Sequence, residues 1–366
     1  MKETMKLFIE CTVPTRACNM KCDYCYVTQN KWWASKMPDM SLCLSNIEKA
    51  FNKDRLGGIC MVNICAQGET MLPPQMVTII KAILENGHYV MVVTNGTLKK
   101  RFEEVCSFPE ELRKRLFFKF SFHYLELKKQ NLFDTYLANI NMIHEHGISY
   151  TVELTPDDEY VPFIPEIKEW CMANLGALCH VTVPRDERIE GFPLMTGMTR
   201  SEFVNTWKDF DSDLFNFKES IFEVKRNEFC YAGKWSIALN LVTGEYKQCY
   251  KGKVLGNFYK NMDKPLKLLA VGNHCKEGHC FNGHAFMGFG LIPKVRTTSY
   301  ADMRNRIRSN GEEWLNEDMK YFMDHPLQEA NDEFSETEKK ITNLKNDVYY
   351  AAYDLKTVIK RMIKHG

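Results

Sequence analysis

Long apolar runs are missing from this chain. No uncharged stretch approaches the roughly 18 residues that a membrane-spanning helix needs, and no apolar segment of the signal-peptide kind follows the charged N-terminus Met-Lys-Glu-Thr-Met-Lys. These absences argue against a membrane or secreted protein and predict a cytoplasmic one. An excess of one charge is also missing. With 48 Lys and Arg against 47 Asp and Glu, the net charge is +1, and no Lys/Arg block announces a local patch. Composition therefore offers no support for a nucleic-acid partner. Internal repeats and low-complexity tracts are absent too. What remains is 366 residues, 45% hydrophobic and 26% charged, the composition of a globular chain longer than one average domain.

Cysteine, by contrast, is abundant, with 14 in the chain. A chain with no sign of secretion and enough length for a large core has no need of disulfide staples. Seven of the cysteines fall into two groups with metal-ligand character: Cys18, Cys22 and Cys25, then Cys230, Cys249, Cys275 and Cys280. The other seven (Cys11, Cys43, Cys60, Cys65, Cys106, Cys171, Cys179) sit singly in apolar runs, where the thiol acts as a small hydrophobe.

Order along the chain is regular over the first half. Strand-like runs at 5–13, 59–65, 88–94, 117–122, 148–155 and 178–183 alternate with helical patterns at 74–86, 99–106, 132–146 and 162–174. A further helix is predicted from Ser41 as N-cap, with Leu44, Ile47 and Phe51 at helical spacing. Short strands alternating with helices predict parallel βαβ units. Six of them are too few for a closed eight-fold barrel. Active sites of such barrels gather at the C-terminal strand ends, and the first of those ends carries Cys18-Asn-Met-Lys-Cys22-Asp-Tyr24-Cys25. A mononuclear zinc site wants four ligands. A four-iron cubane also wants four, and three thiolates leave one iron open.

This C-x3-C-x2-C spacing, with aromatic Tyr24 before the third cysteine, resembles the signature of the radical S-adenosylmethionine (SAM) superfamily. The resemblance implies a partial (β/α)6 barrel in which Cys18, Cys22 and Cys25 hold a [4Fe-4S] cluster whose open iron is chelated by SAM. It also implies formation of a 5′-deoxyadenosyl radical that abstracts hydrogen from a substrate. Ala66-Gln67-Gly68-Glu69 stands where the family carries its Gly-Gly-Glu element against the SAM amino group, with Gln67 replacing the first glycine. Thr94-Asn95-Gly96-Thr97 and Ser121-Phe122-His123 end the next two strands. Tyr24, Gly68, Glu69, Asn95, Ser121 and His123 are thus the expected cofactor-binding residues. The plainer reading of Asn95-Gly96 is a good turn, and that of Ser121 and His123 is strand-end polar groups. For catalysis the resemblance names no residue. Glu153, inside an apolar strand, is a candidate base with a raised pKa if it points into the barrel, and Cys65 and Cys179 are candidate hydrogen donors.

The domains expected are a barrel over 1–210, a small unit over 211–298, a helical linker over 299–331 and a terminal helix over 332–366. In the second unit, Trp235–Asn240 and Tyr246–Cys249 form a hairpin with a cysteine at each end. The spacing of Cys230, Gly244 and Cys249 resembles the opening of the SPASM/twitch extension of radical SAM enzymes. The resemblance implies an auxiliary [4Fe-4S] cluster on Cys230, Cys249, Cys275 and Cys280. Structural zinc is the alternative, kept open by His274, His279 and His284. Arg185 and Arg188 are candidate grips for a substrate carboxylate or phosphate, or are paired with Asp186 and Glu187. In the last segment Ile341, Val348, Leu355 and Met362, with Leu344, Ala351 and Val358, repeat as a heptad seam. That seam predicts a second copy or a partner helix.

The expected activity is oxidation or epimerisation of a small-molecule or sugar-like substrate, fed by an electron donor such as flavodoxin or ferredoxin. Only seventeen residues precede Cys18, so the leader-binding domain of many peptide-modifying members is not expected, and a peptide substrate is the second choice. A zinc-stabilised partner-binding protein is the alternative of another class.

Overall fold

The computed structural model describes residues 3–295 and 297–365, with side chains through residue 351. Six parallel strands pair in the order of the sequence: β1 (Leu7–Val13), β2 (Cys60–Ala66), β3 (Tyr89–Thr94), β4 (Leu116–Ser121), β5 (Ser149–Leu154) and β6 (His180–Val181). Right-handed crossovers in an order that never reverses put all the connecting helices on one side. These include Ser41–Ala50, Met76–Glu85, Lys99–Cys106, Phe133–Glu145 and Ile164–Leu175. The result is the open, singly wound arrangement of a partial (β/α)6 barrel. Gly87, Gly147 and Gly176 end three of the helices at φ of 84°, 70° and 70°, a left-handed turn that favours glycine.

Strand alternation divides the interior in two. Leu7, Ile9, Cys11 and Val13 join Val62, Val92, Phe118 and Val152 in a core shared with the helices. Phe8, Met61, Met91 and Phe117 point to the other face, into a second core with Phe286, Phe289, Met303 and Phe322. Further along the strands this inner face turns polar. Glu10 stands opposite Asn63, Lys119 opposite Thr151, and Ser121 opposite Glu153.

Beyond residue 211 the chain departs from the expected layout. The hairpin is present as β7 (Ser236–Asn240) and β8 (Glu245–Lys247), but β7 pairs in parallel with β1 and continues the barrel sheet. A further antiparallel strand, β9 (Val254–Asn257), closes the nine-stranded order. The expected helical linker is mostly irregular, with a helix only at Glu317–Asp324 and a short 3-10 turn at Leu327–Glu329. It is clamped to the barrel, since Tyr150 N–H donates to the Trp314 carbonyl at 3.0 Å. Ser41 is the first residue of its helix rather than the cap, and Asp39 Oδ1 accepts from its N–H at 3.0 Å.

The terminal helix runs Glu336–His365. Its seam residues Ile341, Leu344 and Val348 are 47%, 62% and 64% exposed. The face turned to the protein is polar: Asn346 Nδ2 donates to the carbonyls of Ala270 and Val271 at 3.0 and 3.1 Å. The side chains of Leu355, Val358 and Met362 lie outside the described residues. Among the described residues no helix is long and apolar enough to cross a membrane.

Candidate active site

Four successive strand ends meet around the first cysteine group. After β1 the chain turns at Thr15, whose carbonyl accepts from Gly68 N–H at 2.6 Å, and the Ala17 carbonyl accepts from Glu69 N–H at 2.9 Å. A Cβ on Gly68 would stand 2.1 Å from that Ala17 oxygen; only glycine lets the two backbones touch. Asn19 bridges to the end of β3, donating to Thr97 Oγ1 at 2.8 Å and accepting from Asn95 Nδ2 at 2.7 Å. Lys21 N–H donates to Glu126 Oε2 at 3.3 Å, and the Tyr24 hydroxyl makes a short hydrogen bond with His123 Nδ1, both after β4.

The three thiols lie close together, Cys25 raising the pKa of Cys18 and both of them that of Cys22. Burial is the larger cause: it pushes Cys18 up to about 11 and raises Cys22 and Cys25 as well. Such thiols stay protonated unless a cation binds them. Few hydrogen bonds reach them, chiefly Met20 N–H at 3.4 Å and Asn95 Nδ2 at 3.7 Å, both to Cys18 Sγ. Among the described residues no three His, Cys, Asp or Glu side chains stand in ready-made coordination geometry. The donor chemistry nevertheless suits a cubane with one open iron, with three thiols on one loop beside a backbone cradle at Gly68.

Glu69 is buried, and its carboxylate is occupied. Oε1 accepts from Met71 N–H at 2.8 Å and Thr94 Oγ1 at 2.7 Å, and Oε2 accepts from Asn95 N–H at 2.8 Å. It therefore ties the β2 loop to the β3 loop. Ser121 lies on the inner face, and its hydroxyl has no hydrogen-bond partner among the described residues. Burial lowers His123 to about 4, leaving a neutral ring against Tyr24.

Of the catalytic candidates, Glu153 does point inward, but the raised pKa that suits a base is corrected by its surroundings. Burial raises it, and Arg304, Lys119 and Lys218 together outweigh burial and hold it below the ordinary carboxylate value. Arg304 forms a buried ion pair with it. Cys65 also lies on the inner face, near Glu10 and Lys119, with burial pushing its thiol up to about 12. Cys179 is fully buried in the helix-side core, beside Cys171 and Tyr136, away from this face.

In the second group, burial and mutual proximity raise Cys230, Cys249 and Cys280, the last two to about 11 and 12, and Cys275 is their common neighbour. A Cβ at Gly252 would stand 3.2 Å from Cys249 Sγ, so glycine keeps that sulfur clear. The histidines have other company. His274 lies 3.5 Å from Asp347, His279 packs on Phe222 and Phe281, and His284 faces Lys218, Arg304 and Lys119. Arg185 donates to the Phe281 carbonyl and Glu187 Oε1, both at 3.0 Å, and Arg188 pairs with Asp186 at 2.7 Å.

The sequence reading passed over the rest of the inner face. Glu10 accepts from Asn63 Nδ2 at 2.6 Å and Asn282 Nδ2 at 3.0 Å. Lys119 faces Glu10 and Glu153. Lys218, on the helix Asp213–Ile221, donates to Thr182 Oγ1 in a short hydrogen bond, and burial followed by Arg185 lowers it to about 7. The available signal was a single charge inside an otherwise apolar strand, Glu10 in β1 and Lys119 in β4.

The fold and site thus define a parallel partial barrel with a three-thiol loop at its C-terminal edge. A model described as the radical SAM superfamily matches residues 12–156, from within β1 to just past β5. No curated protein matches the chain. Among solved structures, SuiB of Streptococcus suis is 15% identical at a TM-score of 0.47, covering 71% of this chain and 65% of that one. Native anSMEcpe with bound AdoMet is 12% identical at 0.47, covering 70% and 79%. A structure of TYW1 with a lysine-pyruvate adduct is 16% identical at 0.39, covering 55% and 73%. The chain thus spans just under two thirds of the length of SuiB.

Proposed function

We propose that this chain is a radical SAM enzyme with an auxiliary iron–sulfur cluster. The observation that carries this reading is the Cys18, Cys22, Cys25 loop, tied by backbone and side-chain hydrogen bonds to the ends of β2, β3 and β4 within the segment that matches the family model. In this reading the three thiolates hold three irons of a [4Fe-4S] cluster. With SAM on its open iron, that cluster supplies reductive cleavage of SAM to methionine and a 5′-deoxyadenosyl radical that abstracts a substrate hydrogen.

The chain's own residues orient and enclose. Glu69 fixes the two loops on which SAM rests, and Gly68 gives its backbone edge to the SAM ammonium. Asn95 and Ser121 offer polar contacts, and the Tyr24–His123 pair holds the cluster loop against β4. Cys230, Cys249, Cys275 and Cys280 hold the second cluster, where an electron from an oxidised substrate radical can go. Cys65 is the candidate hydrogen donor for an epimerase outcome, supported by its place on the inner face and by a thiol that stays protonated. We propose further that the exposed seam of the terminal helix pairs with the same seam of a second copy, its heptad spacing being that of a two-stranded coil.

The test is chemical. Anaerobically reconstituted and reduced protein should cleave SAM to 5′-deoxyadenosine and methionine, and Cys22→Ala should lose this activity with the cubane ligand. Undiminished 5′-deoxyadenosine from Cys22→Ala would overturn the assignment.

A further inference from the structure

We propose that the inner face below the SAM site binds a small substrate through an anionic group, a carboxylate or a phosphate, seated on Lys119 and Lys218. This names the substrate class for the function proposed above and rests on that reading for the identity of the site.

Ionic accounting within the face leads to it. Lys119 comes from the middle of β4 and is 9% exposed, yet among the described residues its ammonium donates no hydrogen bond and makes no ion pair. The two carboxylates it faces are already taken. Glu10 accepts from Asn63 and Asn282, and Glu153 is paired with Arg304. Lys218 reaches the same space from the helix Asp213–Ile221 and has only the Thr182 hydroxyl as partner. With Arg185 set aside on Glu187, three basic side chains (Lys119, Lys218, Arg304) share this face with two acidic ones (Glu10, Glu153). An ammonium with no hydrogen-bonded partner, held at a largely buried strand position, is a ready seat for a negative charge.

The unpartnered polar atoms point the same way. Arg304 is fully buried, and its Nε and Nη2 have no hydrogen-bond partner; His284 Nδ1 is buried and unpartnered as well. Arg304 and Lys119 both lie near enough to act on Lys218, and all three act on His284, so they share one neighbourhood with the Arg304–Glu153 pair. Position fits the chemistry. Lys119 and Ser121 are two residues apart on the same face of β4, so the anion would lie about 7 Å below the SAM-facing strand end. A substrate anchored there presents its remaining C–H bonds upward, toward the cluster loop.

Equilibrium binding to the reconstituted protein tests this, with inorganic phosphate and malonate as probes against chloride at matched ionic strength. Lys119→Met and Lys218→Met keep the side-chain volume and remove the charge, and circular dichroism confirms that each is folded. The wild type should bind at least one probe, and each variant should weaken that binding about tenfold or more, as expected for loss of a charge-assisted contact. Phosphate alone would assign a phosphorylated substrate, malonate alone a carboxylate, and both a general anion seat. Absence of binding by the wild type, or equal binding by wild type and both folded variants, would overturn the inference. SAM cleavage by the unaltered protein is scored separately. A protein that cleaves SAM and binds neither probe loses only this inference, and one that binds a probe and cannot cleave SAM loses only the function on which it rests.

Discussion

Replacing Gly68 with Ala tests how the cluster loop is held. The added Cβ would meet the Ala17 oxygen at 2.1 Å, the Ala17 carbonyl carbon at 2.7 Å and the Arg16 carbonyl carbon at 3.0 Å. All three are backbone atoms, so no side chain can swing aside, and the Thr15–Ala17 segment must move by about 1 Å to restore van der Waals contact. That movement breaks the 2.6 Å and 2.9 Å backbone hydrogen bonds from Gly68 and Glu69. Each contributes about 1 kcal/mol net, and overpacking strain adds about 1–3 kcal/mol, giving roughly 3–5 kcal/mol in all. Gly68 is not among the positive-φ glycines, so backbone conformation contributes little and the clash accounts for the loss. Urea unfolding measures it, alongside Gly278→Ala, whose Cβ meets nothing within 4 Å. Gly68→Ala should also lose most of the iron bound by the first cysteine group. A variant as stable as Gly278→Ala and fully loaded with iron would refute the reasoning.

Other perturbations read other parts of the molecule. Arg304→Met leaves the Glu153 carboxylate without its ion-pair partner and should destabilise the fold by about 3–5 kcal/mol in urea unfolding; a loss under 1 kcal/mol would mean the pair is dispensable. Burial, then Arg185, lowers Lys218 to about 7. The unfolded chain therefore binds more protons between about pH 7 and pH 10, and the destabilisation, complete below that range, is relieved as pH rises through it. Lys218→Met should be the more stable protein at pH 6 and should show a flatter stability profile from pH 7 to 10; an unchanged slope would contradict this. Leu344→Lys with Val348→Lys should convert a dimer to a monomer by light scattering, and a wild type that is already monomeric would remove the proposed pairing.

Much of this was open to reading because it is local. The C-x3-C-x2-C spacing, the alternation of Leu7 to Val13 and the glycines that end helices at 87 and 147 all act within a few residues, and each lies where the pattern placed it. What was hidden depends on distant partners. Polar residues inside β4 and β5 are visible in the sequence, but a single strand does not reveal which face becomes the barrel interior. The partner of Glu153 is Arg304, 151 positions away in a segment with no periodicity. The continuation of the sheet from β1 into β7 is likewise long-range. On the terminal helix the heptad seam drew the eye, whereas the face that packs is Thr342 and Asn346. The carbonyls of Ala270 and Val271 there take donors from Asn346 rather than apolar surface.

The central claim is that the three-thiol loop holds a cluster whose open iron takes SAM. It is tested most directly by electron paramagnetic resonance of the reduced protein carrying alanine at Cys230, Cys249, Cys275 and Cys280, recorded with and without SAM. The account predicts about four irons per chain and a cluster signal that changes when SAM is added. A chain that binds no iron at Cys18, Cys22 and Cys25, or whose signal is the same with and without SAM, would contradict it.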